Sequence, residues 1–252
     1  MITRNELSIF LHEFLDCARY NDYAPNGLQV EGEDKIKRIC TAVTASEEVI
    51  SQAVTWKADA LLVHHGYFWR GEDPVITGMK RQRIGKLLSH NINLFAYHLP
   101  LDCHFDLGNN ACLAKLLLLE SIQMHQAGHT ENLLWSGKLP RPMESQVFTE
   151  FLEKILGRKP LHIAGNNKML TSIAWCSGAA QDFIEDADRL GVDAYLSGEV
   201  SERTYYQAKE LGIHYYSCGH HATERYGIKS LGQYLSNHFE LEHLFIDSDN
   251  PV

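Results

Sequence analysis

Short hydrophobic runs alternate with amphipathic stretches along most of the chain. The segment TAVTASEEVISQAVTWKADALLVHH at 41–65 contains an apolar run, a small-residue turn, an amphipathic stretch and a second apolar run. Apolar runs bounded by turn residues are typical of buried strands, whereas apolar residues at every third or fourth position are typical of helices. The segment therefore predicts a strand, a helix and a second strand.

The same order of elements returns in the second half of the chain. WCSGAAQDFIEDADRLGVDAYLSGE at 175–199 matches the first segment without a gap at a constant offset of 134 residues, which pairs Asp59 with Asp193. A further helical stretch and a third apolar run follow in each half, INLFAYH at 92–98 and IHYYSCG at 213–219. We expect an α/β fold of two similar α/β units that arose by internal duplication, each a sheet flanked by helices.

The connection between the two halves is predicted within ESIQMHQAGHTENLLWSGKLPRPME at 120–144, which loses periodicity and contains several glycines and prolines. We therefore assign residues 1–125 to the first unit and 126–252 to the second. The sequence leaves open whether the units exchange strands. At the N-terminus, Thr3 and Glu6 form a capping-box pattern that predicts the start of an amphipathic helix.

Composition excludes several classes of protein. With 252 residues, 44% of them hydrophobic and 22% charged, the chain has the composition of an ordinary globular protein. No apolar stretch is long enough for a membrane span, and the N-terminus lacks the pattern of a secretory signal. The six cysteines show no CxxC spacing, so we expect reduced thiols in a cytoplasmic protein. For Cys103 and Cys218 we favour packing over a nucleophilic role, since no paired base accompanies them.

The net charge of −9 argues against a protein whose main task is to bind nucleic acid, because that affinity comes from Lys and Arg on phosphates. The densest basic clusters are KRQR at 80–83 and LPRP at 139–142, and a solvated surface is the simpler interpretation of both. Nucleic acid stays open as a partner only because a ring of subunits could gather its few basic residues in one place.

Two histidine pairs carry the strongest chemical signal. His64-His65 and His220-His221 each follow an apolar, strand-like run, and each lies near a carboxylate. Imidazole and carboxylate are the ligands that hold divalent transition metals without cysteine. At the offset of the repeat the two pairs are not copies of one another, so a site that draws on both halves would lie between the units.

The spacing of these residues selects a set of ligands. Adjacent strand residues point to opposite faces, so His64 and His65 would bind separate ions unless Gly66 turns the backbone. A helix that begins near His220 would place His220 and Glu224 on one face. Three nitrogen and two carboxylate ligands suit two Zn, Mn, Fe or Ni ions with a bridging Glu224, and the predicted set is His64, His65, Asp102, His220 and Glu224.

Motifs spaced over the whole chain connect it to a known family. They are APNGLQVEG at 24–32, HHGYFW at 64–69, HLPLD at 98–102, LGNN at 107–110, SGE at 197–199 and GHHATE at 219–224. In these motifs the chain resembles the GTP cyclohydrolase 1 type 2 homologues, also called the NGG-one-interacting-factor-three-like family. The resemblance implies a duplicated α/β architecture, a toroidal homohexamer and a dinuclear metal centre on the five residues selected above. Gly66 departs from the family pattern, in which many relatives carry proline, and we expect it to loosen the loop.

Four residues are candidates for catalysis beside the metals. Glu224 is one of them as well as a ligand. His98 and His221 are interpreted either as groups that orient ligands and move protons or as packing residues. Glu199 is either a general base or a carboxylate that caps the next helix.

Two further segments are interpreted structurally. The aromatic run Tyr67, Phe68 and Trp69 could stack on a purine, but a core role is favoured for all three residues. Asn26 and Gln29 are expected to build a turn by the site instead of performing chemistry.

Two functions of different classes fit these residues. The first is a metal-dependent hydrolase, and the family name implies a nucleotide or pterin-like small molecule as its substrate. Neither GxxxxGK[ST] nor GxGxxG is present, so a nucleotide would be held without a glycine-rich loop. The second is a metal-binding scaffold, adaptor or regulatory ring without turnover. The five-ligand set favours the hydrolase, because closed structural zinc sites are usually four-coordinate and rich in cysteine.

Overall fold

The computed structural model describes residues 1–252. The first part of the chain forms β1 (Ile2–Thr3), α1 (Arg4–Phe14), β2 (Gly27–Val30), β3 (Lys35–Ile36), β4 (Arg38–Thr44), α2 (Glu47–Trp56), β5 (Ala60–His65), α3 (Gly78–Ser89), β6 (Asn93–Ala96) and α4 (Leu99–Cys103). The remainder forms α5 (Asn109–Leu116), β7 (Glu120–Ala127), β8 (Thr130–Glu144), α6 (Ser145–Leu156), β9 (Leu161–Ile163), β10 (Met169–Cys176), α7 (Ile184–Arg189), β11 (Ala194–Ser197), α8 (Glu202–Leu211), β12 (His214–Ser217), α9 (His220–Phe239) and β13 (Glu242–Phe245). No helix has the length and apolar character that a bilayer crossing requires.

One compact unit comprises Met1–Gly108 and Gly227–Asp249. Its main sheet has the order β13-β4-β5-β6-β2, in which the first four strands are parallel and β2 is antiparallel to β6. Successive residues of β5 contribute to different core clusters: Leu62 packs with α1 and the later part of α9, whereas Leu61 packs with α2 and α3. The sheet is thus covered on both faces, which explains why its parallel strands are continuous apolar runs.

The other compact unit comprises Asn109–Tyr226 and Asn250–Val252. Its sheet has the order β7-β8-β10-β11-β12-β9, with parallel β10, β11 and β12 at the centre. Trp175 and Leu196 lie in a core cluster with residues of α5 and α6. Mixed sheets flanked by helices in both units confirm the predicted α/β class.

The two aspartates that the repeat pairs make the same local contacts. Asp59 Oδ2 accepts hydrogen bonds from two consecutive backbone N–H groups at the start of β4, each 2.8 Å long. Asp193 Oδ2 accepts two from consecutive residues of β10, at 2.8 and 3.0 Å. The shared pattern supports the internal duplication, which itself stays a prediction.

The segment predicted to connect the halves is folded. Residues 120–144 contain the antiparallel strands β7 and β8, joined by a turn at Gly128 with φ +56°. Six of the eight residues of β7 are exposed, and β7 is an edge strand. A strand with water on both faces has no apolar alternation, which is why its sequence resembles a linker.

The compact units are discontinuous in sequence, whereas the sequence-based division had a single boundary at residue 125. The chain passes into the second unit after Gly108 and leaves it within α9, after Tyr226. The late strand β13 then pairs in parallel with β4 of the first unit. Backbone hydrogen bonds between strands distant in sequence leave no local signal, so the pattern of apolar residues did not predict this pairing.

Candidate metal centre

The first candidate ligands lie at the ends of two neighbouring parallel strands. β5 ends with His64 and His65, and β6 is followed by His98 and α4. Carboxyl ends of parallel strands share one edge of a sheet. One ligand atom from each of these three histidines therefore lies within 4.8 Å of the other two. Asp102 on α4 adds a carboxylate whose Oδ1 is 3.5 Å from His64 Nε2. We call His64, His65 and Asp102 the first ligand set.

The buried ring of His64 is oriented by the backbone. Its Nδ1 lies 2.9 Å from the carbonyl oxygen of Tyr97. A ring nitrogen that faces a carbonyl oxygen carries the hydrogen and donates it, which leaves the lone pair on Nε2, the nitrogen that faces Asp102. Metal-binding histidines usually have this arrangement, because the donated hydrogen bond fixes the tautomer and the ring.

His65 comes closer to His64 than alternation along a strand suggests. The ring centroids are 4.6 Å apart, and Nδ1 of His65 is 3.2 Å from the hydroxyl oxygen of Thr44. The chain leaves the strand at Gly66, where a Cβ atom would lie 2.2 Å from Gln29 Oε1. Gly66 is therefore tightly packed, so the expectation that it loosens the loop was wrong.

His98 is held by Asp22, a carboxylate that the sequence did not single out. Asp22 Oδ1 accepts a 2.7 Å hydrogen bond from His98 Nδ1, and Oδ2 accepts from the backbone N–H of Leu99 and the amide of Asn26, both at 2.8 Å. Burial raises the pKa of Asp22, but the hydrogen bond with His98 and the others outweigh burial and lower that pKa. Ionised Asp22 thus fixes both the His98 ring and the start of the helix that carries Asp102. The only sequence signal is its place four residues before Asn26, in the predicted turn.

A second ligand set, His220 and Glu224, belongs to the other unit. α9 begins at His220, as predicted, and Glu224 follows one turn later with Oε2 3.1 Å from His220 Nε2. On the other side of the ring, Nδ1 is 2.6 Å from Oε1 of Glu199, which follows β11. His220 is therefore oriented as His64 is, but by a carboxylate instead of a carbonyl.

The two carboxylates dominate the charge of the second ligand set. Burial lowers the pKa of His220, whereas the hydrogen bonds and charges of Glu224 and Glu199 raise it, with a net pKa of about 9. A divalent cation at Nε2 would compete with the proton that these carboxylates stabilise. The charge and the donor types of this set fit a divalent transition metal.

Gly178, also missed by the sequence analysis, makes room for the second ligand set. It follows β10 with φ +68°, and a Cβ atom there would lie 2.1 Å from Glu224 Oε1 and 3.2 Å from His220 Nε2. Glycine adopts this left-handed conformation without strain and lets the carboxylate approach the backbone. Its sequence signal was the SG pair at the end of an apolar run.

The remaining polar candidates lie in buried positions. His221 is buried, and its backbone N–H donates to the carbonyl of Val252 at 2.9 Å; a chemical role for its side chain stays a prediction. Burial raises the pKa of the Cys103 and Cys218 thiols well above the usual range, which disfavours the reactive thiolate. A packing role for both cysteines agrees with this environment.

The aromatic run after His65 divides into core and site residues. Tyr67 is buried and donates from its hydroxyl to the carbonyl of Ala45 at 2.7 Å, and Phe68 packs against the same core cluster. The core interpretation is therefore confirmed for both. Trp69 is half-buried like Phe68 but does not pack against a core cluster, and its ring centroid is 5.0 Å from that of His98.

Comparison with known proteins identifies relatives over the full length of the chain. A sequence profile of the Duf34/NIF3 (NGG1p interacting factor 3) family matches residues 2–251. Two proteins named GTP cyclohydrolase 1 type 2 homolog, from Pasteurella multocida and Escherichia coli K12, are 51% and 48% identical over 248 residues, which are 98% of this chain and 98% of each relative. A solved structure described as protein ybgI, of unknown function, has a TM-score of 0.95 at 46% identity, and one from Thermus thermophilus has 0.90 at 30%; both comparisons cover 100% of both chains.

Proposed function

The chain belongs to the Duf34/NIF3 family, and from this premise we propose that it is a hydrolase that depends on two divalent metal ions per subunit. The metal would be Zn, Fe, Mn or Ni, because these ions accept imidazole and carboxylate ligands. The proposed substrate is a nucleotide or a pterin-like molecule, as the name shared by the relatives suggests. The proposed ligands are the first and second ligand sets together: His64, His65, Asp102, His220 and Glu224.

The observation that carries this proposal is an arrangement that occurs once in each ligand set. In both, a histidine donates from Nδ1 to an oxygen and directs Nε2 at a carboxylate: His64 toward Asp102 and His220 toward Glu224. A histidine that serves only in packing needs a polar partner at just one of its two ring nitrogens. Two histidines that share this arrangement, each within reach of an acidic oxygen, support metal binding over packing.

We propose further that both sets bind the same two ions. The second set offers only two ligands, whereas catalytic zinc sites usually have three protein ligands for each ion. Ligands from the first set would complete the coordination. The toroidal homohexamer that the family resemblance implies is part of the same proposal, and the mass of the metal-loaded protein by light scattering tests it.

Bound divalent ions would lower the pKa of a water molecule and stabilise negative charge on the substrate. The protein groups nearby would position and move protons. His98 donates from Nδ1 to Asp22, so its Nε2 can accept a proton from water and return it to a leaving group. Glu199 would keep His220 Nε2 directed at Glu224, and His221 is proposed to orient groups around the ligands.

The test is Glu224→Gln, with the exposed Glu202→Gln as the matched control. Metal-reconstituted wild type and variants are screened against nucleotides and pterins, and metal content is measured by elemental analysis. We expect Glu224→Gln to lose turnover and metal but to keep the folded oligomer, and Glu202→Gln to behave as wild type. Unchanged turnover in Glu224→Gln would exclude the proposed role. Two metals per chain without turnover of any compound would favour a metal-binding scaffold instead.

A further inference from the structure

Two aromatic side chains in contact with water adjoin the histidine cluster of the first unit. The ring centroid of Trp69 is 5.0 Å from that of His98 and 5.9 Å from that of His65. Tyr23 lies 6.3 Å from His98 and is 57% exposed. Exposed apolar surface that is rimmed by polar groups is a candidate for binding a ligand, whereas scattered single residues are not.

The loop that carries Tyr23 is fastened to the loop that carries Trp69. The backbone N–H of Arg70 donates to the carbonyl of Tyr23 at 2.6 Å. The Arg70 guanidinium donates to the carbonyl of Asp22 at 2.9 Å and to the side-chain oxygen of Asn21 at 3.1 Å. These bonds tie the Tyr23 backbone to the residue next to Trp69, so the two rings belong to one local structure.

Further polar contacts hold the Trp69 loop. The Trp69 backbone N–H donates to a Glu72 carboxylate oxygen at 3.0 Å, and its indole N–H donates to the carbonyl of Gly66 at 3.3 Å. Gln29 accepts from the backbone N–H of Tyr67 at 2.7 Å and donates to the carbonyl of the same residue at 3.0 Å. Hydrogen bonds of the backbone and of Gln29 therefore fix the position of Trp69, which leaves part of its ring open to a ligand.

We infer that Trp69 and Tyr23 form a subsite that binds a flat heteroaromatic ring beside the metal ligands. The inference rests on the proposed function, whose substrate class it deepens. A planar ring could stack on either aromatic side chain and cover surface that is now in water. Because His98 donates from Nδ1 to Asp22, its Nε2 could accept a hydrogen bond from an N–H or amino group at the edge of that ring. Stacking would hold the base of a nucleotide in a protein whose sequence has no glycine-rich phosphate loop.

The test measures binding of paired probes to the metal-loaded, full-length protein by calorimetry. GTP and inorganic triphosphate share the phosphate chain, but only GTP has an aromatic base, and neopterin supplies a ring without phosphates. We expect Trp69→Leu to weaken binding of GTP and neopterin about 10-fold and to leave triphosphate binding unchanged. Tyr23→Leu should act in the same direction, while Trp69→Phe and Tyr23→Phe should keep most of the affinity. Tyr205→Leu, at a 49% exposed tyrosine of the second unit, is the control.

Three results would overturn the subsite. In the first, wild type binds GTP no tighter than triphosphate and does not bind neopterin. In the second, Trp69→Leu weakens binding of GTP and of triphosphate equally, and in the third, Trp69→Leu loses its metal. The last result would assign the tryptophan to support of the His98 ring. The subsite and the hydrolase can fail separately. Ring binding that depends on Trp69, in a metal-loaded protein without turnover, would refute only the hydrolase. Turnover with an unchanged kcat/KM in Trp69→Leu would refute only the subsite.

Discussion

The two ligand sets differ in what orients the histidine. In the first set a main-chain carbonyl, that of Tyr97, accepts the hydrogen bond from His64, whose side chain is completely buried. In the second set the acceptor is the Glu199 carboxylate, which is 36% exposed. The carbonyl is neutral and is fixed by the strand to which it belongs. The carboxylate adds a negative charge and depends on a side chain that a single substitution can change.

Because of this difference, the two ligand sets should respond differently to substitutions around the histidine. The fold itself fixes His64, so substitutions of side chains around it can act only through its ligand partner Asp102 or through packing. The second set places one imidazole between two carboxylates and is therefore more negative. We infer that its affinity for a cation can be adjusted through the orienting carboxylate as well as through the ligands, whereas in the first set no side-chain substitution removes the carbonyl that orients His64.

The largest effect is expected when the charged ligand of either set is replaced, by Asp102→Asn or by Glu224→Gln. Each substitution removes the charged ligand of one set, and we expect metal affinity to fall more than about 100-fold, beyond the loss typical of residues that only orient a ligand. Competition titration with a chelating dye measures this affinity, and elemental analysis counts the ions. If each variant lost only one ion and kept the other at wild-type affinity, the two sets would be independent sites instead of one centre.

Gly178→Ala should act on the second set alone, without changing a ligand. Its Cβ would collide with Glu224, so we expect metal affinity to fall at least about 10-fold. Gly191→Ala is the matched control, because Gly191 has nearly the same φ, +69°, and nothing within 4 Å of an added Cβ. Both variants should lose about 1–2 kcal/mol of stability in denaturant unfolding from backbone strain. Equal metal affinity in the two variants would contradict the steric argument.

A smaller effect is expected from Glu199→Gln. The amide oxygen can still accept the hydrogen bond from His220, but the charge is lost, so metal affinity should fall about 10-fold, the low end for such orienting residues. Glu199→Ala, which removes the acceptor as well, should lose more, and Glu202→Gln should lose nothing. If Glu199→Gln and Glu199→Ala both bound metal as wild type does, the orienting role would be refuted; the next helix is capped by Ser201 and not by Glu199.

The smallest effect is the dependence of stability on pH. It compares one histidine from each unit, and neither histidine belongs to a ligand set. Burial lowers the pKa from 6.5 to about 4 for one histidine in each unit, His243 beside Thr41 and His162 beside His214. Below about pH 6.5 the unfolded chain binds a proton on each imidazole that the folded chain does not bind until about pH 4. Stability should therefore fall as the pH drops through this range, by at most about 1.4 kcal/mol per pH unit for each histidine.

Denaturant unfolding at pH 7.5 and pH 5.0 measures this dependence for wild type, His243→Gln and His162→Gln. Each variant should lose less stability than wild type between the two pH values. The other histidines are common to all three proteins and cancel in the comparison, except His214, which loses its hydrogen bond with His162 in His162→Gln. A variant with the full wild-type dependence would show that its histidine contributes nothing.

The sequence predicted the parts of the fold and site that depend on local pattern. Strand, helix and strand units follow from short apolar runs and amphipathic periodicity, and the start of α9 at His220 followed from a glycine after an apolar run. The spacing of His220 and Glu224 then placed both on one face of the helix. Such features require only neighbours along the chain.

Features that depend on contacts between distant segments were not predictable in this way. Asp22 holds His98 from 76 positions away, and Gly178 matters only because Glu224 packs against it. The orienting partner of His64 is a main-chain carbonyl, which any residue type supplies. The partial exposure of Trp69 was missed because hydrogen bonds of its loop, not its hydrophobicity, decide where the ring lies.

The close packing at Gly66 couples two positions that are far apart in the sequence. An added side chain at 66 and the amide of Gln29 would occupy the same space, since a Cβ atom would lie 2.2 Å from Oε1. A side chain added at position 66 alone would expel the Gln29 amide. A smaller residue at position 29 alone would leave a gap beside the histidines. An engineer who wants proline after the histidine doublet must therefore redesign residue 29 in the same step, and must also make room at Ala96, whose Cβ would lie 2.6 Å from the added atom.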